Sequence, residues 1–231
     1  MKDLMTNQSI PGTVIAFSIN GTNVWTEGFG YTDVENDVIT HKDSIWRLAS
    51  ISKPLTSALI GRLMDKKLID LNHDIHRYLS PDFYPYKTFN GSAVNITLFS
   101  YESWWPSAGI ISTASDLIRF GNSMLSAYKG HNKDFLSEET VKELWTPETI
   151  GKIKPKDMKD EYAKGWFVTQ IAEPYPYRTQ IWHAGGLLGT STMLILFPNQ
   201  NIVGVAFANK GWTVGLDQLI LSVAKNFEEF L

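Results

Sequence analysis

The sequence predicts an α+β fold, an antiparallel β-sheet flanked by helices. Two strand-like segments lie at the N-terminus, helical periodicity fills the middle, and at least three consecutive strand-like segments precede a last helix. Segregated runs of this kind build an antiparallel sheet covered by helices rather than alternating βαβ units. The 231 residues are 43% apolar, 13% aromatic and 19% charged, enough apolar material for one buried core without a disulfide or metal staple.

Thr13–Ile19 is β-branched and apolar, and Asn20-Gly21 follows it directly. Asn-Gly supplies the positive φ that a type I′ turn needs at both central positions, which makes Thr22–Phe29 the returning strand. Gly28, Gly30 and Asp33–Thr40 then read as loop. From Ser50 the period becomes helical, with Leu55, Leu59, Leu63 and Met64 on one face and Lys66-Lys67 at the C-terminal end. Pro54 is tolerated only in a first turn, so this helix begins close to Ser50. Residues 70–100 read as irregular. Thr113–Asp116 opens a second helix in the manner of a capping box, and Ser137-Glu138-Glu139 caps a third that ends near Trp145. Lys152–Lys164 reads as a solvated loop. Strand-like segments follow at Gly165–Ile171, Thr179–His183, Thr190–Phe197 and Ile202–Ala208, and an amphipathic helix closes the chain from about Thr213 to Leu231.

A net charge of −3 argues against a nucleic-acid or anionic-membrane surface as the main partner. The absence of cysteine removes disulfides, thiolate nucleophiles and cysteine-ligated metals from consideration. No apolar run approaches a membrane span, and Met1–Asn7 has the character of neither a signal peptide nor a transit peptide. His73 and His76 lie three apart, but no third ligand follows a metal-binding pattern, so neither metal nor other cofactor is expected. The sequons at Asn7, Asn20, Asn90 and Asn95 carry no message without a secretory context. Trp104-Trp105 reads as core packing by default and as an exposed interface otherwise.

Ser50-Ile51-Ser52-Lys53 is the sharpest chemical constellation. A serine and a lysine three apart on a helix share one face, which lets a neutral Lys53 take the Ser50 hydroxyl proton. A helix N-terminus and burial both disfavour the ammonium form and so lower the lysine pKa toward a useful range. The spacing alone is cheap: Ser126–Lys129 and Ser222–Lys225 repeat it inside helical stretches, and Ser50 can equally be read as a plain N-cap. His183-Ala184-Gly185-Gly186, placed at the end of one strand and before another, offers either close backbone approach and an oxyanion donor or a glycine bulge beside a packed histidine.

Several segments together resemble one family. Ile10-Pro11-Gly12, Glu27–Asp33, Trp46–Thr56, Ser107–Phe120 and His183–Gly186 look, in this order, like the signatures of the serine β-lactamase-like and penicillin-binding (class C-like) family. Within it the Ser-Ile-Ser-Lys and His-x-Gly-Gly forms resemble the animal mitochondrial branch. The resemblance covers nearly the whole chain and treats residues 1–231 as a single domain, with the Ser-x-x-Lys in 1–98 and the His-Ala-Gly-Gly in 99–231. It implies acyl transfer through an acyl-enzyme on amide or ester bonds of a small-molecule or peptide substrate. It also implies Ser50 as nucleophile, Lys53 as base, and His183 in the place of the third-motif lysine. Ser50 and the Gly185-Gly186 segment would supply the oxyanion site.

The family's middle motif, Tyr-x-Asn or Ser-x-Asn, is missing. The sole Ser-x-Asn is Ser18-Ile19-Asn20, upstream of Ser50, and Tyr101-Glu102-Ser103 lacks the asparagine. An internal deletion near Leu98–Ser100, removing most of the family's helical subdomain, accounts for this economically. The expectation is a weakened or silent enzyme, because a positioned proton-transfer group is worth about 10²–10⁴ in rate. Uncovered apolar surface at Trp104-Trp105 adds an expectation of self-association. The resemblance points to mitochondria, although no targeting segment is legible.

Overall fold

In the computed structural model, residues 1–79, 86–89, 92–95, 104–148, 160–170 and 179–227 are described. An eight-stranded antiparallel sheet forms the frame. Across it run β3 (Val38–Ile39), β2 (Thr22–Asp33), β1 (Gly12–Ile19), β12 (Ile202–Ala208), β11 (Thr190–Phe197), β10 (Thr179–Leu187), β9 (Phe167–Gln170) and β8 (Asp160–Tyr162). Outside the sheet, β4 (Trp46–Arg47) pairs with β7 (Ile111–Ser112), and β5 (Tyr86–Phe89) with β6 (Ser92–Asn95). The helices are α1 (Lys2–Gln8), α2 (Ser52–Asp65), α3 (Trp105–Ala108), α4 (Ala114–Tyr128), α5 (Glu138–Leu144) and α6 (Leu216–Asn226).

The predicted first hairpin forms, with Asn20 and Gly21 at φ 51° and 80°. The central strands β11 and β12 are buried along their whole length because helices cover both faces. Their alternate residues feed two cores. Leu194, Leu196, Val205 and Phe207 join Val14, Leu117, Met124 and Trp166 on the α4 side. Ile195, Phe197 and Ala206 join Ile15, Phe17, Ile220 and Ala224 on the α6 side. Each fully buried Leu, Ile or Phe contributes about 1.5–3 kcal/mol, so the two layers jointly fix strand register. Thr113 caps α4 by accepting from the Asp116 amide at 3.2 Å. Asp65, at the end of α2, accepts from the Ser137 amide (2.8 Å), Ser137 Oγ (2.6 Å) and Thr140 Oγ1 (2.6 Å), and so fastens the start of α5 to α2.

Several expectations are corrected. The second strand continues through Gly28 and Gly30 to Asp33, because β3 pairs with it. A hairpin, β5–β6, lies in the stretch read as irregular. Asp160–Tyr162 is a strand rather than loop, paired to β9. The last helix starts at Leu216, after Gly215 in the left-handed region. Trp104 and Trp105 are not core: they are 46% and 52% exposed. The proposed junction at Leu98–Ser100, Tyr101–Ser103, Lys152–Lys156 and the final residues Glu228–Leu231 lie outside the described residues. No helix among the described residues is long and apolar enough to cross a membrane.

Candidate active site

Ser50 sits in a 3-10 turn, Ala49–Ile51, that runs directly into α2 at Ser52. Its hydroxyl does not cap the helix. The N-cap of α2 is Ile51, with no side-chain cap bond, and Pro54 falls in the first turn. Ala49 has φ 49°, a left-handed conformation that costs a non-glycine residue about 1–2 kcal/mol. Hydrogen bonds on both sides hold this turn. The Leu48 amide donates to Ile110 O (2.9 Å), Thr192 Oγ1 donates to Leu48 O (2.8 Å), and Thr190 Oγ1 to Arg47 O (3.3 Å). Ser52, the other serine of the motif, is spent on structure: its Oγ accepts from the Ile110 amide at 3.1 Å.

Lys53 Nζ lies 2.9 Å from Ser50 Oγ and donates to Ser107 O at 3.0 Å. Burial lowers its pKa, since the cation loses water there. As an ammonium it donates to the serine; as a neutral amine the same contact reverses, and Ser50 donates to it. Ser126 and Ser222, the other Ser-x-x-Lys serines, lie within α4 and α6, where no comparable turn exists.

The strand β10 forms the facing wall. The sequence reading ended this strand at His183, but it runs on to Leu187 because β11 pairs with it throughout. Pairing with β9 stops at Trp182, so His183–Leu187 has no strand on its other side among the described residues. This half of β10 lies against the Ser50 turn. A Cβ on Gly185 would come 2.2 Å from Thr192 Oγ1, 2.4 Å from Leu48 O and 3.0 Å from the Ser50 amide nitrogen, so only glycine allows the approach. A Cβ on Gly186 would meet nothing within 4 Å.

His183 shares the Gly185 face of the strand and is 5% exposed. Its Nδ1 lies 2.6 Å from Ala184 O and its Nε2 3.3 Å from the Tyr162 hydroxyl. A carbonyl oxygen only accepts, so the proton is assigned to Nδ1, which leaves Nε2 to accept from Tyr162. Burial pushes the His183 pKa down to about 4, the nearby Lys53 charge acts the same way, and the Ala184 carbonyl opposes both. The ring is therefore neutral at pH 7. Its surroundings explain the burial: Phe167 stacks on Trp182 with centroids 4.4 Å apart and lies 5.3 Å from His183, and Tyr162 lies 4.7 Å from Phe167. Burial also raises the Tyr162 pKa.

Tyr162 was missed in the sequence. It stands in a stretch read as solvated loop, and only the pairing of β8, β9 and β10 carries it to His183 across 21 positions. Gly165, at φ 84°, makes the tight turn that allows this, and Ser57 Oγ on α2 donates to Lys164 O at 2.5 Å to hold the turn against the helix. His73 and His76 are taken up locally, by the Tyr78 hydroxyl and by Asp74. No group of three potential metal ligands occurs among the described residues.

A serine–lysine pair at a helix entrance thus lies against the half of β10 that no second strand pairs among the described residues. The chain belongs to the Beta-lactamase family, whose model matches residues 1–99 and 82–219 in two overlapping stretches. The mitochondrial serine beta-lactamase-like protein LACTB of Bos taurus is 41% identical over 87 residues, 38% of this chain and 15% of that protein. Its Homo sapiens counterpart is 40% identical over 87 residues, 38% of this chain and 16% of that protein. The match thus spans only a small part of those relatives' length. Among solved structures, the octameric penicillin-binding protein homologue from Pyrococcus abyssi superposes with a TM-score of 0.75, covering 96% of this chain and 76% of that one at 12% identity. A class C beta-lactamase gives 0.71, covering 95% and 91%, also at 12% identity. These structures share the fold. Within it the helical subdomain is reduced: between α2 and α4 the described residues hold the four-residue α3 and a 3-10 turn at Ile75–Arg77.

Proposed function

We propose that the chain is a serine hydrolase that opens amide or ester bonds through an acyl-enzyme on Ser50. The 2.9 Å contact between Lys53 Nζ and Ser50 Oγ carries this reading. Neutral Lys53 takes the hydroxyl proton as Oγ bonds to the substrate carbonyl carbon. The amides of Ser50 and Gly186, with Gly185 keeping the two segments close, donate to the developing oxyanion, a contribution of about 2.7–4 kcal/mol per donor. Lys53 returns the proton to the leaving group, and water then hydrolyses the ester on Ser50. His183, neutral and fixed in one tautomer, accepts from the Tyr162 hydroxyl and holds it against the β10 wall. Turnover is weak, because the reduced subdomain leaves less to exclude water and position substrate. Residues 1–231 act as one domain, and similarity to the relatives named mitochondrial supports that location.

Intact-mass labelling with a fluorophosphonate tests the reading. A single adduct is expected on the wild type and none on Ser50→Ala; a folded wild type without an adduct overturns it. A second reading, a catalytically silent assembly-forming protein, is favoured by one observation. Trp104, Trp105 and Trp212, all lining one cleft, are 46%, 52% and 72% exposed, and the solved homologue from Pyrococcus abyssi is described as octameric. Sizing chromatography that returns a monomer removes this second reading.

A further inference from the structure

Between α3 and the Gly186-Leu187 end of β10 opens a cleft of about 700 Å³, within the range of small-molecule sites. Its walls include Trp104, Trp105, Ile111, Trp212, Arg47 and Gly186. Three indoles at 46%, 52% and 72% exposure face solvent here, an unusual concentration of flat apolar surface. Arg47 is exposed, and no carboxylate among the described residues pairs with its guanidinium. The cleft is continuous with the reaction centre in two ways. Gly186, on its wall, adjoins the Gly185 contact with the Ser50 amide, and α3, which carries Trp105, also presents the Ser107 carbonyl to Lys53.

We propose that this cleft is the substrate's acyl subsite and takes an aromatic group bearing a carboxylate. The inference rests on the serine hydrolase reading above and names its substrate class. Indole faces receive a flat ring by stacking, and a guanidinium at the same wall pairs a carboxylate in a forked geometry that an aliphatic or cationic group cannot use. The ring supplies contact area, Arg47 selects charge, and Gly186, with open space where a side chain would stand, lets the substrate backbone reach Ser50.

The test uses 2-naphthoate, with 2-naphthalenemethanol as its neutral counterpart, measured by calorimetric titration of the full chain. Both ligands are expected to bind the wild type and Ser50→Ala equally within twofold. Trp105→Ala is expected to weaken both at least fivefold. Arg47→Gln is expected to weaken naphthoate at least fivefold and leave the alcohol unchanged, and naphthoate is expected to slow fluorophosphonate labelling of Ser50. Both substituted side chains are exposed, so folding is not at stake, and a melting curve checks this. Absence of naphthoate binding, or binding indifferent to both substitutions, overturns the proposal even where Ser50 is labelled. Naphthoate binding with the expected losses upholds the cleft as a site for an aromatic carboxylate even where Ser50 proves unreactive, an outcome that removes the hydrolase reading and overturns the acyl role. An oligomer that Trp105→Ala dissociates, without naphthoate binding, assigns the face to a second copy of the chain and also overturns it.

Discussion

The two walls of the cleft are built to different standards. The β10 wall is over-determined: His183 is buried among aromatics, Thr190 and Thr192 tie the hairpin to the Ser50 turn, and Gly185 is the one residue that permits the approach. The opposite wall, α3 and β7, is four residues of helix and two of strand, with its tryptophans half in water. The two walls meet at Lys53, which bonds Ser50 on one side and the Ser107 carbonyl on the other. The contrast teaches that the parts nearest Ser50 are held by the sheet itself, while the α3 and β7 face has little behind it.

Substitutions on the β10 wall should therefore cost far more than those opposite. Gly185→Val carries the largest expected effect. It forces a Cβ into the Leu48 carbonyl and Thr192 Oγ1, and a loss of about 3 kcal/mol or more, with loss of Ser50 labelling, is expected in a chemical denaturation series. His183 comes next. Its folded pKa is depressed to about 4 from 6.5, so the unfolded chain binds the proton more readily between those values. The stability present above about pH 6.5 should fall as pH drops toward 4, by on the order of 3 kcal/mol. His183→Asn should flatten that part of the stability–pH curve; an unchanged slope breaks the claim that the ring is buried neutral. Thr192→Val removes one donor to Leu48 O and leaves the turn strained at Ala49, for an expected 1–2 kcal/mol by thermal melting, within the range of about 1–3 kcal/mol for an unpaired buried group. Gly186→Ala and Trp105→Ala should change stability least, each within about 1 kcal/mol, because one side chain enters open space and the other is already half exposed.

Local relations were legible in the sequence, and relations made across the sheet were not. Ser50 and Lys53 are three apart, so helical geometry alone joins them, and Asn20-Gly21 dictates its hairpin through the φ values it can adopt. The central strands were legible because burial on both faces makes them continuously apolar. Tyr162 was hidden because β8 is only three residues long and gains its place from β9, not from its own composition. The extension of β10 past His183 was hidden for a related reason: two consecutive glycines read as a break, whereas the pairing with β11 carries the strand through them. The exposure of Trp104-Trp105 depends on what covers α3, which no local pattern encodes.

The central claim is that burial makes Lys53 a base for Ser50 without the Tyr-x-Asn motif. The most direct measurement is the second-order rate of Ser50 labelling by a fluorophosphonate as a function of pH, in the wild type and in Lys53→Met. The account predicts a rate that rises with pH through a midpoint below the ordinary lysine value of 10.5, and a fall of at least about 10²-fold in the variant with the fold retained. Equal labelling of a folded Lys53→Met protein would contradict it.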